Sequence, residues 1–180
     1  MSPSVLQFLP VAILAVIGTL ESVLSLQWNW TYFSVGIRIF HRVRPVLDPK
    51  ATTPSEESLE AALFESAFPP MAFWLLEPDR FAFRERISGG VRLGYLPVMR
   101  GNIRLQRRGA RVEVIGLVNW FTVALLAAAG YSVFLFRSPI FLVLTIVVLL
   151  LIYAIQFRRF SEVARETATE WSLSRTSPTA

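Results

Sequence analysis

The sequence predicts an α+β membrane protein. Three transmembrane helices are expected, with a small antiparallel-sheet-plus-helix cytoplasmic domain between helix 1 and the helix 2–3 hairpin. Three observations predict it. Apolar residues crowd both ends of the chain and charges crowd the middle. The ends hold apolar runs of the ~20 residues needed to cross a bilayer core about 30 Å thick. Basic residues fall almost wholly on one side of those runs. Composition agrees: of 180 residues, 53% are hydrophobic and 17% charged, against roughly 25% charged in soluble domains. Mean hydropathy is +0.49.

The apolar runs cover residues 4–26, 114–136 and 139–157. The expected division is helix 1 over 1–27, the domain over 28–112, helix 2 over 113–137, helix 3 over 138–159 and a tail over 160–180. Only Arg137, Ser138 and Pro139 separate the last two helices, so they should form a tight antiparallel hairpin. Pro139 suits a first helical turn, where its missing N–H costs nothing. A soluble chain of this length has too little mass to bury three such helices on every side. A cleaved signal peptide is the other reading of the first run. It needs a basic start and a small-residue cleavage site, and MSPS supplies no basic side chain.

Charge sets the direction. Residues 27–113 carry thirteen basic side chains: Arg38, Arg42, Arg44, Lys50, Arg80, Arg84, Arg86, Arg92, Arg100, Arg104, Arg107, Arg108 and Arg111. The tail carries Arg158, Arg159, Arg165 and Arg175, and the hairpin link only Arg137. Cytoplasmic loops are enriched in Lys and Arg, so the N-terminus is expected outside and the domain and tail in the cytoplasm. Trp28, Trp30, Tyr32 and Trp120 stand where an interfacial aromatic belt belongs. Only Lys50 among the 18 basic residues is lysine. That bias suits a GC-rich bacterial genome and hence an inner membrane.

Within the domain, Phe33, Val35, Ile37 and Ile39 alternate with other residues and predict a strand over 33–43. Prolines and polar residues around Lys50 predict a loop. Ser55 caps a short helix whose Glu56 and Glu57 suit the positive end of its dipole, with Leu59, Leu63 and Phe64 on one face. Two strands flank Pro78 and Asp79 as a hairpin. A second hairpin turns at Gly109, and its last strand runs straight into helix 2. The order is β-α-β-β-β-β, with a further strand expected near residues 91–96 after the Ser88, Gly89, Gly90 break. The tail residues Phe160, Val163, Ala164, Thr167 and Trp171 have helical spacing, which extends helix 3 and lays Trp171 on the domain or the membrane. Residues after Leu173 read as disordered.

Chemistry is sparse. No cysteine is present and His41 is the single histidine, which excludes disulfides, iron–sulfur clusters and multi-histidine metal sites. His41 beside Arg38, Arg42 and Arg44 reads as a solvated or lipid-facing side chain rather than a haem or chlorin ligand. The Gly-rich SGGVRLG lacks the following helix and the Lys-Ser/Thr of a phosphate loop. The carboxylates have ordinary surface spacing. No catalytic residue, metal or cofactor is expected.

The ionisable Glu21 lies in the inner third of helix 1, where such a group is costly. It is expected to reach headgroups, a nearby arginine or a donor on a partner helix. Gly18, Ser22 and Ser25 form a narrow stripe around it, and Ala124, Ala127, Ala128 and Gly130 form a second. Asn119 and Thr122 are candidates for interhelical hydrogen bonds. Trp28, Trp30, Arg38, Arg42, Arg44, Arg107, Arg108, Arg111, Arg158 and Arg159 are assigned to lipid or partner contact. Each arginine near a span end gains ~1 kcal/mol from anionic lipid, which explains the basic charge without nucleic acid. The expected function is a non-catalytic accessory subunit that stabilises a larger respiratory, photosynthetic or transport complex. The alternative is a stand-alone protein whose domain binds anionic headgroups or a ligand.

Overall fold

A computed structural model describes residues 3–46, 53–64, 71–85 and 98–173. The chain runs α1 (Pro3–Leu26), α2 (Trp30–Ser34), β1 (Arg38–Pro45), α3 (Glu56–Phe64), β2 (Met71–Glu77), β3 (Arg80–Glu85), β4 (Met99–Gln106), β5 (Arg111–Val118), α4 (Trp120–Phe136) and α5 (Ile140–Leu173). The five strands form one sheet in the order β1-β5-β4-β3-β2, each pair antiparallel. The expected loop around Lys50, the break and extra strand over 88–96 and the disordered tail after Leu173 lie outside the described residues.

One sheet face carries the main core. Phe40, Phe73, Phe81, Phe83, Ile103, Val112 and Val114 meet Leu59 and Leu63 of α3 and Phe160, Val163 and Trp171 of α5. Ser55 caps α3 as expected, its hydroxyl oxygen accepting the Ser58 N–H at 3.1 Å. The opposite face holds a smaller cluster of Tyr32, Phe33 and Ala82 with Leu24, Trp28 and Leu76 against it. The free edge of β2 is closed by side chains of α3. Glu60 accepts the Phe73 N–H at 3.3 Å and Glu56 the Leu75 N–H at 2.6 Å. An open strand edge invites pairing with other chains, and these carboxylates occupy its donors.

Three boundaries differ from the sequence expectation. Residues 33 and 34, expected to open the strand, end the short helix α2, and the strand begins at Arg38. Trp28 adopts a left-handed φ of 51° and Asn29 accepts the Tyr32 N–H at 3.1 Å, which starts a helical turn before any strand can pair. The second apolar helix begins at Trp120, because residues up to Val118 form β5. β5 is flanked by β1 and β4 and buried on both faces, so its apolar run imitates the start of a helix. The turn of the second hairpin places Ala110, not Gly109, in the left-handed region at φ 46°.

Among the described residues, two helices are long and apolar enough to cross a membrane: α1 over Phe8–Leu26 and the 34-residue α5. The apolar α4 is shorter, with 17 residues. α5 does not break at the end of its apolar half. It continues onto the sheet, where Trp171 is 0% exposed, so the alternative left open for Trp171 resolves to the domain.

Candidate functional site at the helix–domain junction

The helix-bearing end of the sheet gathers polar groups from four elements at Glu21: side chains of α1, α2 and β4 and backbone N–H groups of α4. Oε1 of Glu21 accepts the Trp120 N–H at 2.8 Å and the Tyr32 hydroxyl at 2.9 Å, and Oε2 accepts the Phe121 N–H at 2.8 Å. The first N–H groups of a helix have no partner within it. Asn119 makes no side-chain cap bond at α4. Glu21 therefore caps α4 from another helix and sets a negative charge against the positive end of its dipole.

Arg100 of β4 completes the cluster. It is 2% exposed. Its guanidinium donates to the backbone carbonyls of Tyr32 at 2.5 Å, Val118 at 2.7 Å and Val35 at 2.9 Å. It also lies 3.6 Å from the Glu21 carboxylate and 4.0 Å from the Tyr32 ring centroid. A planar fork of five N–H donors suits several fixed acceptors at once. Gly36 makes room for it: at φ 158°, a Cβ there would sit 2.9 Å from Nη2 of Arg100. Asn102, next on the same face of β4, donates to the Phe33 carbonyl at 2.9 Å. Burial, then the Glu21 carboxylate, pushes the Tyr32 phenol far above its ordinary value, so it remains a hydroxyl donor. Burial also pulls the Arg100 guanidinium below its usual range, opposed by Tyr32 and Glu21.

α5 is fastened separately. Gln156, 0% exposed, accepts the N–H groups of Val98 and Met99, both at 3.0 Å. The Tyr153 hydroxyl donates to the Ile39 carbonyl at 3.0 Å, and Arg159 pairs with Glu85. No protein-family model matches the chain, and no curated protein or solved structure matches it. The geometry therefore carries the functional reading by itself.

The sequence-assigned residues divide. Gly18 lies against Phe121, where a Cβ would come within 3.1 Å of the ring, so the first stripe meets α4. Ser22 donates to the Gly18 carbonyl of its own helix at 2.7 Å, and Ser25 is half-buried. Thr122 and Asn119 are buried at the start of α4. Along the second stripe Ala124 and Ala128 are half-buried and Ala127 is exposed, while a Cβ on Gly130 would meet nothing within 4 Å.

Trp28 stacks on Phe33 at 5.4 Å rather than pointing wholly outward, and Trp30 donates to Glu77 at 2.9 Å. Arg42 lies over Phe157 at 5.6 Å, and Arg38 and Arg158 are exposed. Arg44 is half-buried towards the far end of β1. Arg107, Arg108 and Arg111 do not lie near a span end. They occupy the far hairpin, one length of β5 from α4, about 24 Å for 8 residues. There Arg107 pairs with Asp79 at 2.7 Å. His41 meets Glu113 at 2.9 Å. Among the described residues no group of three or more His, Cys, Asp or Glu could hold a metal.

Sequence reasoning missed Arg100 and Gln156. Gln156 had a signal, a lone amide in an apolar helix. Arg100 had none, because it stands among other arginines in an alternating strand.

Proposed function

We propose that this chain is a multi-pass inner-membrane protein that is not an enzyme. It holds its small domain at the cytoplasmic face and stabilises a larger membrane complex by helix packing. The carrying observation is how little of its apolar helices the chain itself covers. Of the most apolar window, 6% is buried in α1 and 17% in α5. A core helix of a soluble protein would be buried instead. Phe134, Phe136, Ile140, Leu150 and Leu151 all point outward.

α4 would be the third span. Its 17 residues rise about 25 Å, slightly less than the hydrocarbon core, which thinning or snorkelling accommodates. The arginine asymmetry supports the orientation. Gly130 and Ala127 support a partner, since small outward residues let another helix approach closely.

Purification from native membranes in mild detergent tests the reading. Recovery with a stoichiometric membrane partner is expected. A monodisperse, partner-free monomer would overturn the accessory role, and release by carbonate wash would overturn membrane insertion.

A further inference from the structure

A cleft of about 340 Å³ opens beside the end of α1, within the roughly 300–1,000 Å³ of small-molecule sites. Its lining includes Leu26, Trp28, Trp74, Arg84, Glu56 and Glu60. Both signs of charge meet there. Arg84 is opposite Ala72 on β2, so it stands one strand in from the sheet edge. Glu56 and Glu60 bond the free edge of that same strand. The positive and negative groups thus approach the cleft from opposite sides of β2.

Arg84 lies over the Trp28 ring at 4.7 Å and has no carboxylate partner among the described residues. Burial also holds its guanidinium below the usual range. A half-buried cation without a counterion is stabilised when an anion approaches it, because the opposite charge offsets its desolvation. Trp74 is 48% exposed, and an aromatic face beside two carboxylates suits an ammonium group. Leu26, 55% exposed, ends the apolar surface of α1 at this rim. Acyl chains lying along α1 would bring a headgroup to this place.

We propose that this cleft binds a phospholipid headgroup bearing both a phosphate and an ammonium. Arg84 takes the phosphate, and Glu56, Glu60 and the face of Trp74 take the ammonium. The proposal rests on the membrane reading and narrows it. Two carboxylates select a zwitterionic headgroup over the anionic ones that the net charge of the chain suggests.

The test uses the full chain in detergent and follows tryptophan emission. Dihexanoyl-phosphatidylethanolamine is compared with dihexanoyl-phosphatidylglycerol and with ethanolamine phosphate. Saturable binding of the ethanolamine lipid is expected, with phosphatidylglycerol weaker by about tenfold or more. Arg84→Met should weaken binding similarly, and Arg84→Lys less. Glu56→Gln with Glu60→Gln keeps an acceptor oxygen for each β2 N–H, so the edge stays closed while the charge is lost. That double variant should lose the preference over phosphatidylglycerol with its unfolding midpoint lowered only slightly, by the lost dipole contribution of Glu56. Equal affinity for the two lipids overturns the ammonium site. Equal affinity for ethanolamine phosphate overturns the lipid source. Vesicle flotation read in parallel keeps the two ideas apart. A chain that floats without headgroup selectivity loses the cleft proposal alone, and one that fails to float loses the membrane reading.

Discussion

The two ends of the sheet each carry an arginine facing a carboxylate, in opposite surroundings. At the helix end, Arg100 and Glu21 are 2% and 8% exposed and share their hydrogen bonds with five backbone groups of α2, β5 and α4 or the segments joining them. At the far end, Arg107 grips Asp79 through two bonds of 2.7 Å and adds Thr53 at 2.5 Å, but the side chains lie open to water. The far pair has the better ion-pair geometry and the smaller consequence. An exposed pair contributes about 0–1 kcal/mol, whereas removing one member of a buried pair strands the other and costs about 3–5 kcal/mol. Bond length alone ranks the two sites in the wrong order.

The comparison breaks first at Arg100. Arg100→Met leaves the carbonyls of Tyr32, Val35 and Val118 without this donor and Glu21 without its cation. A loss of about 3–5 kcal/mol is expected in detergent unfolding followed by tryptophan emission. A loss below about 1 kcal/mol would make the two ends equivalent.

Glu21→Gln is milder, because the amide oxygen still accepts one N–H of α4. About 1–3 kcal/mol is expected, with α4 amides exchanging faster in hydrogen-exchange mass spectrometry. Gly18→Val overpacks the contact with Phe121 and should cost about 1–3 kcal/mol by the same unfolding assay.

The smallest effect belongs to the far end. Asp79→Asn should cost less than about 1 kcal/mol, and 1 M salt should erase the difference. Its pH dependence has a definite sign. The Arg107 hydrogen bonds, and secondarily Thr53, hold the Asp79 carboxyl below its ordinary 3.8. The unfolded chain therefore binds the proton first as pH falls. The contribution is present above pH 3.8 and is lost as pH drops through the lower folded value. Wild type and Asp79→Asn should diverge at pH 6 and converge near pH 3 in urea titrations, the approach to equality checking the assignment.

Legibility in the sequence followed how local each signal was. The hairpin at Pro78–Asp79 and the cap at Ser55 need only adjacent residues, and both form as expected. Periodicity misled where burial was two-sided. Alternation over residues 111–114 reads correctly as strand, but residues 114–117 are all buried, and that apolar run looked like the start of a membrane helix. The alternation of Phe33, Val35 and Ile37 looked like a strand, yet Asn29 and the turn at Trp28 bend those residues into a helix and a connector. At the junction, Glu21 was legible as an expensive position, but its donors lie 99 and 100 residues away. Arg100 was counted only as one of many positive charges. Nothing in the pattern around it separates a cation that closes a junction from one that meets water.

The uninterrupted α5 has a mechanical consequence. At 1.5 Å per residue its 34 residues form a single rod of about 51 Å. Its first half exposes apolar side chains and its second half packs on the sheet, with no break between them. In the membrane placement proposed above, a change in bilayer thickness that leans this rod by ~10° would carry its far tip sideways by ~4 Å over an arm of about 24 Å. The sheet packs on that arm, so it would swing with the rod.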